Sequence, residues 1–434
     1  MRHPITESGS IQYQQGDPRS CCELWQQSAW VGDRMLVVDF EFTAYWLESQ
    51  PGQSLSAIYL QRGGELRVSV TDRPLVQARL SAAEQYEQWA EELGLAQYIF
   101  GRPASFDSLA IVKPWGQEIW YTGVEARGVC CVNAGGGSVP IPWLQAAVPG
   151  NSLGQPGEPL VLLKILDPVP EAVTGDLYFE LHEEKREVYV VTHVDETAWP
   201  DGQGYIRMGF NEEKLALFNG DGDAFRQGYL QSVREYESVR REIDDLPEGS
   251  TPDEQLVSAE IERRNRMDEF SHLRPLRVGD VVKVPLLTPH SLQHGVRTVE
   301  FQTPVYERKI LSFAQKVLTQ SHWDTESAVA QMQLHPAPAE AFETLLQTDG
   351  VLVERIVDFA DFEVRRVRLS GSGVLEIAPL QAYGVIMVVE GNLAVSGEDY
   401  GPEQALILPL AWQGGLTSRQ GACPVVFLLA LPRN

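Results

Sequence analysis

The chain has 434 residues, more than one ordinary core holds; at about 150 residues per domain it implies two or three domains. Hydrophobic residues make up 43% and charged residues 22%, which excludes wholesale disorder because enough apolar surface is available to bury. A formal net charge of -25 argues against nucleic acid as a partner, since a phosphate backbone needs a concentrated basic surface.

The N-terminal stretch MRHPITESGS has no apolar signal region, and no run approaches the roughly 18 apolar residues needed to span a bilayer. The expectation is a cytoplasmic protein with no membrane partner. Five cysteines form two adjacent pairs, Cys21 with Cys22 and Cys130 with Cys131, plus Cys423. None has the C-x-x-C spacing of a thiolate zinc site, so they read as free buried thiols.

In chain order, residues 1–104 mix alternating runs at Arg34–Phe40 and Gly64–Val70 with a helix that begins near Ser81. There Ser81 and Glu84 form a capping box and Gly94 provides a stop. This α+β segment carries no recognisable chemistry. Residues 105–210 are β-rich, with Glu187–Val194 as a strand. A charged helical insertion is expected over 211–275, with Thr251 as N-cap, Pro252 at the first helical position and Glu254 completing a capping box. Strand signals return at Asp280–Leu286, within a β segment 276–310, and a helical connector is expected over 311–350, with helix across 311–332. Over 351–434 short apolar runs alternate with turns, at Val385–Glu390, Leu393–Val395, Ala405–Leu408 and Val425–Leu431. The order predicts a mainly β chain of two barrels with helices between them.

The chemistry concentrates in GDLYFELHEEKREVYV, where Glu180, His182 and Glu187 follow E-x-H-x4-E. Residues two apart on a strand share a face, so Glu180 and His182 point together, and a short turn returns Glu187 on an adjoining strand. Imidazole with carboxylates suits Zn, Mn, Fe or Ni. Further along, GDVVKVPLLTPHSLQHG places Gly279, Pro285 and His290 in the order G-x5-P-x4-H.

These two segments resemble the two cupin motifs, which implies a jelly-roll barrel with four inward ligands: Glu180, His182, Glu187 and His290. The flanking residues resemble type I phosphomannose isomerases. Lys113-Pro114-Trp115-Gly116 is similar to that family's opening motif, Lys185-x-Glu187 to its K-x-E element, and Thr288-Pro289-His290-Ser291-Leu292 to its second histidine segment. Glu300-x-Gln302 and Tyr306-x-Arg308 are similar to its E-x-Q and Y-x-R elements. The resemblance covers residues 105–434. It implies two cupin (jelly-roll) barrels, the first (105–210 and 276–310) holding one divalent metal, zinc by family and Mn, Fe or Ni by ligand type, the second (351–434) metal-free. It also implies a sugar phosphate substrate, aldose–ketose isomerisation, and Arg308, Glu300 and Lys185 as active-site residues. Three positions depart from the family: Glu180 stands where the family has Gln, Tyr178 where it has Ser, and Glu183 where it usually has Pro. The long excursion between the first histidine and the K-x-E element is missing.

A lone strand histidine is ordinarily a core or surface residue. What favours ligands here is the grouping, because Glu180, His182 and Glu187 on one buried face need a counter-charge. Trp115 reads first as a packing residue. Lys185 and Arg308 read equally as ion-pair partners, and Glu183, Glu184 and Arg186 as solvent-facing charges. Two rival functions share the motifs: a metal-dependent cupin oxygenase, and a non-catalytic sugar-binding or regulatory cupin. Sequence does not set the oligomeric state.

Overall fold

Local signals are obeyed most closely in the helix Ala82–Leu93 of the computed structural model, which describes residues 10–247, 249–315, 323–335, 341–419 and 424–433. Ser81 and Glu84 close the expected capping box, and Gly94 ends the helix at φ 64°, a left-handed conformation that costs glycine nothing. One face of the helix buries Tyr86 and Trp89 against Met35, Val37 and Ile58 of a five-stranded sheet. That sheet runs Ile11–Gln15, Arg34–Thr43, Gly52–Arg62, Glu65–Thr71, Tyr98–Ile99; the first pair is parallel, bridged by the helix Pro18–Gln26, and the others are antiparallel.

The chain is mainly β, in keeping with a cupin-like fold, and separates into two compact units. The first takes the described residues of 1–109, 120–163 and 342–434. Besides the five-stranded sheet it holds a nine-stranded sheet and a four-stranded sheet, with a core of apolar side chains such as Val367, Leu369, Ile386, Leu406 and Phe427. The strands Leu393–Val395 and Ala405–Leu408 have the expected ends.

The second unit comprises 110–119 and 164–341. Its framework is two sheets. One orders Val281–Val284, Glu187–Val194, Val296–Gln302, Leu162–Pro168, Gly116–Trp120 and Leu109–Lys113; the other orders Ser271–Leu276, Gly204–Phe210, His290–Leu292, Phe179–Leu181 and Lys309–Ser312. The inserted helices Glu212–Ala216, Gly222–Asp244 and Glu254–Asp268 fall within the expected 211–275. Phe225 and Tyr229 anchor the longest of them edge-on to Phe210, where aromatic pairs gain beyond simple burial.

Two expectations need correction. The helix Glu254–Asp268 is capped by Asp253, whose carboxylate accepts from the Leu256 N–H at 2.7 Å, and not by Thr251; aspartate is at least as good a cap and stands two residues nearer the apolar spacing, so Pro252 lies outside the helix. The helix expected across 311–332 shortens to Thr325–Gln331, because Lys309–Ser312 is claimed as a strand by Phe179–Leu181; residues 316–322 lie outside the described part. Among the described residues no helix is long and apolar enough to cross a membrane.

Candidate metal centre

Strand register assembles the site. In the five-stranded sheet of the second unit Glu180 pairs directly with His290, and His182 follows two residues after Glu180 on the same side. Glu187 does not return on an adjoining strand as the sequence suggested. It opens a strand of the other sheet, so the carboxylate approaches the two imidazoles from across the interior. Its Oε1 lies 3.4 Å from His182 Nε2 and its Oε2 3.1 Å from His290 Nε2. Glu180, His182 and His290 each bring a ligand atom within 4.8 Å of the others.

The tautomers follow from the second nitrogens. His182 Nδ1 faces the Glu307 carbonyl at 3.0 Å and His290 Nδ1 the Thr288 carbonyl at 3.0 Å. A carbonyl only accepts, so both Nδ1 atoms carry a proton, and a neutral ring then turns an Nε2 lone pair towards the Glu187 carboxylate. Lone pairs aimed at a carboxylate repel unless a proton or a metal ion stands between them. His182 Nε2 and Glu180 Oε2 are also buried without a hydrogen-bond partner. The donor set therefore fits a divalent ion, and the two backbone carbonyls fix the ring orientation as supporting partners do in metal sites.

Neighbouring charges tune these groups. Burial, then the Lys185 ammonium, pushes His182 below its usual range and keeps it neutral. Burial works against the charge on Glu187, but Lys185, 2.7 Å from its Oε1, outweighs it and holds the carboxyl well below the ordinary range. Tyr189 donates to Glu187 at 2.5 Å. Arg308 packs 4.5 Å over the Tyr178 ring with its Nη1 3.7 Å from Glu180 Oε2, so it lines the same interior.

Glu300 sits opposite Tyr189 on the next strand, 1% exposed; burial pushes its carboxyl well above the ordinary range, Lys164 opposes this and Glu187 adds to it. Lys164 Nζ lies 3.2 Å from Glu300 and 3.6 Å from Glu118, and Lys113 Nζ 3.1 Å from Glu118. Burial opposes the charge on Lys164, yet Glu118, Glu300 and Glu187 outweigh it and hold the ammonium protonated. Glu187, Glu300, Lys164, Glu118 and Lys113 thus form a buried row of charge across five successive strands.

All seven residues proposed from sequence lie in the second unit, and the structure brings Glu180, His182, Glu187, His290, Lys185 and Arg308 together, with Glu300 behind Glu187. Trp115 is buried in the core and Tyr306 is largely exposed. Sequence reasoning missed Lys164, Glu118, Tyr189 and Glu307. A signal existed for Lys164, a single charge inside the apolar run Leu160–Leu166.

The loop before His290 has its own geometry. Leu287 adopts φ 62°, its N–H donates to the His182 carbonyl at 2.7 Å, and its carbonyl accepts from the Gln333 N–H at 2.9 Å.

No protein-family model matches the chain, and no curated protein matches it. Solved structures do. Mannose 6-phosphate isomerase from Bacillus subtilis is similar at a TM-score of 0.53 and 14% identity, covering 76% of this chain and 99% of its own. A zinc-bound mannose 6-phosphate isomerase gives 0.53 and 12% over 75% of this chain and 98% of its own. The apo enzyme from Salmonella typhimurium gives 0.53 and 11% over 76% and 99%. At such identities the likeness is one of architecture, and on that ground the chain has the fold of the type I phosphomannose isomerases.

Proposed function

We propose that the chain is a metal-dependent aldose–ketose isomerase acting on a sugar phosphate, built as two cupin barrels of which only the one holding Glu180, His182, Glu187 and His290 binds metal. The observation that carries this reading is the pair of histidine Nε2 atoms converging with two carboxylates, inside a fold shared with mannose 6-phosphate isomerases. Zinc is the first candidate by that likeness and by ligand type. When bound, the ion would supply Lewis acidity that polarises the substrate oxygens at C1 and C2.

The chain's own residues do the remainder. Glu300, whose carboxyl burial pushes well above the ordinary range, is the proton carrier between C1 and C2. Arg308, its guanidinium fixed over Tyr178, holds the phosphate or a developing oxyanion, for which a planar fork is suited. Lys185 holds Glu187 Oε1 and so orients the carboxylate that spans both histidines. The setting we propose for this reaction is cytoplasmic, with a small-molecule partner.

The test is NMR-monitored incubation of the metal-loaded protein with a panel of hexose and pentose phosphates. Interconversion of one aldose–ketose pair, lost in His290→Ala, is expected. Tight binding without turnover would instead mark a regulatory cupin, and oxygen consumption an oxygenase; either result overturns the assignment.

A further inference from the structure

The first unit contains a second interior that is not closed. On the strand Phe362–Leu369, Glu363, Arg365, Val367 and Leu369 alternate onto one face, paired with Leu431, Leu429, Phe427 and Val425 of the neighbouring strand. Val367, Leu369 and Phe427 are fully buried in the core at one end. At the other end the same face opens into a cavity of about 880 Å³, whose walls include Leu346, Val353, Ile377, Leu380 and Leu431. That volume is in the range of small-molecule sites, and the wall is mostly aliphatic.

Two charged side chains on this inward face have no packing reason to be there. Glu363 is only 5% exposed. Its Oε1 accepts from Arg365 Nε at 2.6 Å, and its Oε2 from Arg433 Nη2 at 2.9 Å, with Arg355 Nη1 at 3.4 Å. One carboxylate is therefore shared by three guanidiniums. Arg433 has Asp358 as a second anion, and Arg355 has Glu343 and Asp358. Arg365 has no other anion among the described residues, its Nη1 has no partner there, and it lines the cavity. Its side chain, about a third exposed, borders the aliphatic chamber with Nη1 left over from the Glu363 contact. A guanidinium that borders an aliphatic chamber and keeps one N–H group unpaired suits the carboxylate end of an amphipathic guest.

We propose that this cavity binds an amphipathic aliphatic monocarboxylate, with its chain along Leu346, Ile377 and Leu380 and its carboxylate on Arg365. The site is separate from the proposed metal centre and does not depend on it. Isothermal titration of the full-length protein with decanoate and with 1-decanol tests it. Decanoate binds at one per chain and about tenfold or more tightly than the alcohol, the increment of one charge-assisted contact. Arg365→Leu, checked for an unchanged melting curve, abolishes the preference for the acid. Leu380→Trp, which fills the chamber from the facing loop, removes binding of both probes and serves alone if the arginine variant does not fold. Absence of saturable decanoate binding, equal affinity for acid and alcohol, or full decanoate affinity in either variant overturns the proposal.

Discussion

Replacing Lys164 by methionine tests whether the buried row of charge holds the second unit together. Methionine keeps the volume and removes the ammonium that lies 3.2 Å from Glu300 and 3.6 Å from Glu118. Breaking a buried pair by removing one partner costs about 3–5 kcal/mol. The lower end applies here, because Glu118 keeps Lys113 at 3.1 Å and burial already pushes the Glu300 carboxyl towards its neutral form. A loss of about 3 kcal/mol lowers the melting temperature by about 6–12 °C for a unit of this size. The pH dependence has a definite sign. The folded-state pKa of Glu300 lies above the unfolded value of about 4.3, so its contribution is fully present below that value and is lost as pH rises toward the raised one. Removing Lys164 pushes Glu300 higher still, and the deficit of the variant narrows on going from about pH 8 to about pH 5. Adding Glu300→Gln removes the stranded carboxylate and recovers about 1–2 kcal/mol. The assay is thermal unfolding of the wild type, the two single variants and the double. Additive losses, or a deficit that widens at low pH, would refute the reasoning.

Three other outcomes are expected. His290→Ala lowers metal affinity by about 100-fold or more, while leaving the far-ultraviolet circular dichroism unchanged; equilibrium dialysis against zinc reads this directly. Glu180→Gln retains the ion, shifts competitive loading from manganese towards zinc, and raises turnover of any accepted sugar phosphate, because a neutral amide returns about one unit of positive charge to the ion; unchanged selectivity with lower turnover would give Glu180 another role. Burial pushes the thiols of Cys22 and Cys130 up to about 12, so neither is alkylated by iodoacetamide near pH 8 in the folded protein, and mass spectrometry showing prompt labelling of either would contradict their burial.

What was legible in the sequence was local or periodic. The capping box at Ser81 and Glu84 lies within four residues of chain, and Glu187–Val194 declares its strand by composition. Period two also placed Glu180 and His182 on one face, and the motif spacing added His290. The same period says which face a residue takes but not which sheet, so Glu187 was assigned to a neighbouring strand when it belongs to the facing one. The partners of Lys164 were invisible for a related reason. Its partners Glu118 and Glu300 come from strands far apart in sequence, and only the sheet order makes them neighbours. The substitution of Asp253 for Thr251 as cap is a smaller case, in which two acceptable capping residues stood two positions apart.

The Leu287 loop makes the two histidines a single cooperative element. A left-handed leucine costs about 1 kcal/mol or more over glycine, and it persists only where its surroundings over-determine it. Here the side chain packs on the core, and the two main-chain groups tie residue 182 to residue 333 through residue 287. Opening this loop would release the backbone holding His182 and the segment carrying His290 in one event. Amide exchange at the Leu287 N–H should then share its opening free energy with the amides around both imidazoles, and neither ring would be lost while the other stays in place.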